Sequence, residues 1–374
     1  MRKNPIPVAA PMLIGNERAY VTDCLESTWI SSCGKYVGRF ETAFANFCGV
    51  KYALSCCNGT AALHLVLMAF GVGPGDEVIV PTLTFVATAN AVTYCGAKPV
   101  FVDSDLETWN IDPLLIEKKI TPRTKGIIVV HLYGHPCEMD MILEIAHRHS
   151  LFVIEDAAEA HGAEYKGRKI GSTADAATFS FYGNKIVTCG EGGMVVTNND
   201  ILANKIRQLK GQGVGIGRHY WFPMIGYNYR LSNLAAAIGL AQLEKIDWHI
   251  QRRIEIARYY YKELQGVAGL IFQKEKPWAK HVYWMFNVLL DESIAFERDE
   301  LIKQLYDRGI ETRPIFYPLH ILPPYKPLGK EEVFSIADRI SQRGITLPTW
   351  AGLTERDIKY ICGNLRECLD KPKR

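Results

Sequence analysis

Leu151 to Gly162 reads LFVIEDAAEAHG, and shortly after it Ala176 to Lys185 reads AATFSFYGNK. In the first segment the apolar run Leu151-Phe152-Val153-Ile154 has the unbroken hydrophobicity of a strand covered on both faces, and Asp156 stands just past it. In the second, Ala177-Thr178-Phe179-Ser180-Phe181 is rich in β-formers, and Lys185 follows across a Tyr182-Gly183-Asn184 turn. Open α/β sheets place ligands beyond the carboxyl ends of their strands, where both residues are expected. A lysine that condenses with an aldehyde and a carboxylate that pairs with a pyridinium nitrogen are the two groups that pyridoxal phosphate requires. Taken singly, an aspartate after a strand and a lysine after a turn are ordinary surface features. The surrounding sequence changes that reading.

Outward from this pair, β-like runs alternate with helical patterns between about residues 50 and 200. The strands expected are Tyr52–Ser55, Glu77–Val80, Pro99–Val102, Gly126–Val130, Phe152–Ile154, Thr178–Phe181 and Met194–Thr197, with helices such as Ala61–Phe70 and Met139–His149 between them. Continuous apolar strands with helical connections predict a large α/β domain with a mostly parallel sheet covered on both faces. Ser232 is a candidate cap for one long helix running from Leu234 past Tyr261. Beyond it, a strand over Val282–Leu290, a helix over Arg298–Arg308, a proline-rich stretch and a last helix after Thr354 suggest a smaller α+β domain. The division expected is 1–249 and 250–374, with its boundary inside the long helix.

Composition narrows the functional classes. The 374 residues are 48% hydrophobic and 22% charged, as in ordinary globular proteins, and a net charge of +3 gives no reason to expect nucleic acid or a membrane surface. No apolar run reaches the length of a membrane span. The start, Met1-Arg2-Lys3-Asn4-Pro5, is basic without the apolar core of a signal peptide. Ten scattered cysteines without a CxxC pattern read as reduced, mostly buried thiols, so a cytoplasmic protein without a metal is expected.

Asn58-Gly59-Thr60 opens the helix that ends at Phe70. A helix N-terminus with a glycine turn offers free N–H groups and a positive dipole end to a phosphate, although a plain cap would look the same. Gly211-Gln212-Gly213-Val214-Gly215-Ile216-Gly217 imitates a dinucleotide loop, but it follows a helical stretch instead of a strand and is read as a substrate loop.

The strings Glu155-Asp156-Ala157-Ala158-Glu159-Ala160-His161-Gly162, Ser180-Phe181-Tyr182-Gly183-Asn184-Lys185 and Gly190-Glu191-Gly192-Gly193 resemble those of the DegT/DnrJ/EryC1/StrS family. That family comprises sugar-nucleotide aminotransferases with the aspartate-aminotransferase (type I) fold, and the resemblance runs from Pro7 to beyond Leu353. It implies that Lys185 carries pyridoxal phosphate and moves protons, and that Asp156 pairs with the ring nitrogen. By the same resemblance Phe85 stacks on the ring and Glu159 lies near its O3′, where many members have glutamine. Gly59, Thr60 and Ser180 hold the phosphate, with Asn58 in place of the commoner serine. Asn228, in Gly226 to Asn233, reaches the phosphate in a neighbouring subunit, implying a homodimer with shared active sites. Trp29, Lys35, Arg313, Tyr317 and His320 fall in substrate regions of the family, though a structural role is equally open for each. Arg313 has the planar fork suited to a diphosphate.

The Gly-Asn-Lys form of the lysine motif is similar to that of the GDP-perosamine-forming members. The resemblance therefore implies transfer of an amino group from L-glutamate, through pyridoxamine phosphate, to C4 of GDP-4-keto-6-deoxy-D-mannose for O-antigen or other surface polysaccharide. A UDP- or dTDP-linked 4-keto-6-deoxyglucose and a non-catalytic regulator with the same fold are the alternatives. A dehydratase subgroup has histidine at the lysine position, so Lys185 implies transamination.

Overall fold

The computed structural model describes residues 5–215, 217, 220–294, 297–329 and 332–370. The basic start at residues 1–4 and Ile216 of the glycine-rich loop lie outside them. Seven strands form the central sheet in the order Tyr52–Cys56, Gly193–Thr197, Ala176–Ser180, Phe152–Asp156, Thr124–Val130, Glu77–Pro81 and Lys98–Val102. Gly193–Thr197 runs antiparallel to both neighbours, and the remaining pairings are parallel. Strands covered on both faces need no polar alternation, and the sequence supplies none: Val78, Ile79, Val80, Ile127, Ile128, Val129 and Ile154 are all fully buried.

Two features of this sheet position the site. Asp156 and Ser180 are the last residues of strands that pair in parallel, so both emerge at one edge. Helix Gly59–Phe70, packed against Gly193–Thr197 and against the strand that carries Ser180, delivers its N-terminus to the same edge.

A second, four-stranded sheet has the order Leu270–Phe272, Phe286–Leu290, Gly344–Leu347 and Arg313–Pro314, all antiparallel. Helices Arg298–Asp307 and Glu355–Leu369 pack with it around a smaller core that includes Tyr260, Phe286, Leu301 and Ile361. Thr354 closes a capping box with Asp357 at the start of the last helix.

The single helix expected from Leu234 past Tyr261 is two helices, Asn233–Leu243 and Ile246–Leu264, broken at Glu244-Lys245. The break lets each half follow its own surface. Asn233–Leu243 packs on helices Glu17–Glu26 and Lys35–Cys48, while Ile246–Leu264 places Ile246 and Ile250 in the large core and Ile256, Tyr260 and Leu264 in the small one. The expected division at residue 249 falls within that second helix. The expected strand over Val282–Leu290 begins only at Phe286. The four residues before it leave the sheet, and the N–H groups of Val282 and Trp284 donate to the carbonyls of Gly134 and Tyr133 (3.2 and 2.9 Å). Eight of the ten cysteines are buried and all are free thiols. Among the described residues no helix is long and apolar enough to cross a membrane.

Candidate active site

Asp156, Ser180, Lys185 and the first turn of helix Gly59–Phe70 converge on one cavity of about 550 Å³. Phe85, Tyr133, Glu159, Trp284 and Arg313 complete its wall. A roomier hollow of about 780 Å³ lies elsewhere, beside Arg258, Lys274, Glu275 and His281. Its Lys274 pairs with Glu107 and its Glu275 is held by Tyr283 and the His281 N–H, so it presents no comparable set of convergent groups.

Asp156 is held at both oxygens. Thr88 donates its hydroxyl to Oδ2 at 2.9 Å, and the Ala158 N–H donates to Oδ1 at 3.2 Å. The Thr84 hydroxyl lies 3.2 Å from that of Thr88, whose proton is already committed to the carboxylate, so Thr84 donates to Thr88. Burial pushes the Asp156 carboxyl up, and the Thr88 bond, the Ala158 N–H and the nearby Lys185 oppose it.

Glu159 is also buried, and its Oε2 accepts the Tyr133 N–H at 2.7 Å. Tyr133 adopts a left-handed backbone (φ 57°) to aim that N–H, a conformation uncommon for a side chain this large. Burial pushes Glu159 up to about 7, against the pull of Lys185 and the Tyr133 bond. Lys185 follows the turn that its own N–H closes onto the Tyr182 carbonyl (2.9 Å). Enclosure pushes its ammonium down, and the Glu159 and Asp156 carboxylates counter that shift.

At the opposite wall, the Asn58 side chain caps the helix by accepting the Ala61 N–H (2.8 Å), leaving Gly59 and Thr60 at its first turn. The packing there admits no side chain. A Cβ on Gly59 would lie 2.8 Å from Ser180 Cβ, and one on Gly193 would lie 2.3 Å from the Asn58 carbonyl oxygen. This close approach makes a concave, positively polarised cradle beside the Ser180 hydroxyl. The Thr178 hydroxyl, buried on the cavity wall, has no hydrogen-bond partner among the described residues. An anion cradle, an aromatic face at Phe85, a buried carboxylate and a lysine fit pyridoxal phosphate in donor chemistry.

Of the residues expected at the site, Asn58, Gly59, Thr60, Phe85, Asp156, Glu159, Ser180, Lys185 and Arg313 border the cavity. Five do not. His320 is a packing residue in this chain: Nδ1 bonds Thr82 (2.8 Å), Nε2 meets Asp338 (3.2 Å) and the ring stacks on Phe334, which leaves neither nitrogen for a sugar. Tyr317 is half exposed beside Arg298, Trp29 is exposed, and Lys35 pairs with Asp23 on the surface. Asn228 accepts from Arg230 away from the cavity. His161 is fully buried against Phe179 and Phe181. Thr88, Tyr133 and Trp284 escaped the sequence reading because each acts through a contact remote in the chain. The one local signal was the aromatic run Tyr283-Trp284, which reads equally well as strand.

Residues 11–366 match the model of the DegT/DnrJ/EryC1/StrS aminotransferase family. The chain belongs to that family. As a DegT/DnrJ/EryC1/StrS aminotransferase it has the type I fold expected from its sequence. It is 54% identical to the GDP-perosamine synthase of Caulobacter vibrioides, over 97% of this chain and 98% of that one. Identity to the GDP-perosamine synthase of Escherichia coli O157:H7 is 51%, over the same shares. Among solved structures, DesV of S. venezuelae in complex with a ketimine intermediate is similar with a TM-score of 0.89 and 36% identity, covering 96% of this chain and 95% of that one.

Proposed function

We propose that this aminotransferase uses pyridoxal phosphate to move an amino group from L-glutamate to C4 of GDP-4-keto-6-deoxy-D-mannose, giving GDP-perosamine for surface polysaccharide. One observation carries the reading: Lys185, Asp156 and Glu159 share a cavity in a chain more than half identical, end to end, to two GDP-perosamine synthases.

When bound, pyridoxal phosphate supplies an aldehyde that takes up the amino group and a ring that accepts the electron pair left on the substrate carbon. The chain's own residues do the rest. The first turn at Gly59 and Thr60, with Ser180, would hold the phosphate. Asp156, fixed by Thr88 and Ala158, would keep the ring nitrogen protonated. Phe85 would offer an aromatic face to the ring, and Glu159 a carboxyl to its polar edge. Lys185 would make the covalent attachment and, with its amine free, would move the proton at the substrate carbon. An enclosed amine whose ammonium is pushed down is suited to that exchange. Arg313, on the cavity wall, offers its guanidinium to the diphosphate. Asn228 completes the phosphate site of a second subunit in a homodimer, and the enzyme works in the cytoplasm.

The test is incubation of the purified enzyme with L-glutamate and GDP-, UDP- and dTDP-linked 4-keto-6-deoxyhexoses, read by mass spectrometry. Amine formation from the GDP-mannose derivative is expected. Preference for a UDP or dTDP sugar overturns the substrate assignment, and no amine from any of them overturns the catalytic one.

A further inference from the structure

We infer that Trp284, which belongs to no motif in the sequence, is a positioning residue that places the Lys185 amine and favours its protonated form when it is free. The inference rests on the assignment of Lys185 above. The Nζ atom lies 3.8 Å from the centre of the Trp284 ring, well inside cation–π range. The Glu159 and Asp156 carboxylates act on the amine as neighbouring charges, and the indole face lies directly against it. Tryptophan is the strongest of the aromatic partners for a cation, and the attraction grows where water is excluded.

The ring is fixed on several sides. Its N–H donates to the carbonyl of Asn184 at 2.9 Å, tying it to the residue just before the lysine. It stacks near-parallel on Tyr133, with 6.1 Å between centroids and 14° between planes. The backbone N–H of Trp284 donates to the Tyr133 carbonyl, and its backbone carbonyl accepts from the Arg253 guanidinium. Indole and the Gly183-Asn184-Lys185 turn are therefore tied to each other, and the same Tyr133 that stacks on Trp284 also donates its N–H to Glu159. The platform comes from the stretch just before Phe286–Leu290, and Trp284 packs in the large core.

The titratable groups around the amine are Asp156, Glu159 and His161, from the strand end and the turn after it, with Glu191, Tyr133, Tyr182 and Arg313 on the cavity wall. Those carboxylates also favour an ammonium, so the contribution of the indole must be separated from theirs.

The separating experiment uses the full-length protein stripped of cofactor. Formaldehyde with cyanoborohydride methylates the unprotonated amine, and peptide mass spectrometry reads the rate at Lys185 against pH. Trp284→Leu should speed labelling at neutral pH by about threefold to tenfold, because a lost cation–π contact releases the free amine. Trp284→Phe, which keeps an aromatic face, should lie between. A fluorotryptophan series introduced at position 284 withdraws π density with little change of volume, so it reports even if the leucine variant does not fold. Labelling should then rise with each added fluorine. Rates within twofold of wild type across that series overturn the inference. In the holoenzyme, Trp284→Phe should lower kcat while leaving KM for the sugar within about threefold, as expected of a group acting through the lysine. Since labelling is read without cofactor, its outcome is independent of whether Lys185 carries the cofactor, which borohydride reduction of the holoenzyme tests separately.

Discussion

Thr88→Val removes one hydroxyl and almost no volume, and it should disable the cofactor site from a distance. Thr88 and Asp156 are both buried, and the 2.9 Å bond between them is made to a carboxylate. Hydrogen bonds to charged groups contribute roughly 1.5–3 kcal/mol, and both partners of this one are buried. At 1.36 kcal/mol per unit, Asp156 should titrate roughly 1–2 units higher, on top of the rise that burial already causes. The freed Oδ2 also loses its orientation, because the Ala158 N–H fixes only Oδ1. Pyridoxal phosphate should accordingly bind about 10- to 100-fold more weakly, since each tenfold corresponds to about 1.4 kcal/mol. The assay is fluorescence titration of cofactor-free protein, with Thr88→Ser as the control that restores the hydroxyl and should restore affinity. Valine and serine variants that both bind the cofactor within threefold of wild type would refute the reasoning.

Two further outcomes follow from the same geometry. Glu159 is raised from 4.5 to about 7 in the folded chain, so its contribution to stability is complete below about pH 4.5 and is lost as pH rises through 7. Glu159→Gln cannot ionise, so in urea unfolding the cofactor-free variant should gain on the order of 2–3 kcal/mol relative to wild type between pH 4.5 and 8, and parallel pH profiles would contradict this. If Asn228 serves the neighbouring subunit's site, Lys185→Arg and Asn228→Ala homodimers should each be inactive. Their mixture after subunit exchange should regain up to about a quarter of wild-type activity, and no recovery in verified mixed dimers argues against shared sites.

The legible part of this molecule was the part written in local pattern. Runs such as Val78-Ile79-Val80 and Ile127-Ile128-Val129 announce buried parallel strands because no solvent-facing side imposes polar alternation. Asp156, Ser180 and Lys185 could be placed at strand ends for the same reason. Patterns that serve two purposes misled. Leu234 to Tyr261 keeps helical periodicity across Glu244-Lys245, where the chain changes the core it packs on. Val282 to Met285 is apolar and extended in composition, yet it pairs with the Tyr133 turn. Contacts between remote residues left no trace at all. Thr88 on an apolar helix reaches Asp156, and Trp284 lies against Lys185, far earlier in the chain. His320 falls in a substrate region of the family, with a structural role equally open, and in the fold Thr82 and Asp338 meet its two ring nitrogens.

The central claim is that one amine, that of Lys185, carries the cofactor. Borohydride reduction of the holoenzyme, followed by proteolysis and mass spectrometry, tests it directly. The account predicts a single phosphopyridoxyl label on the peptide containing Lys185, lost in Lys185→Arg together with activity; a label on any other lysine, or a Lys185→Arg variant that still aminates the sugar, would contradict it.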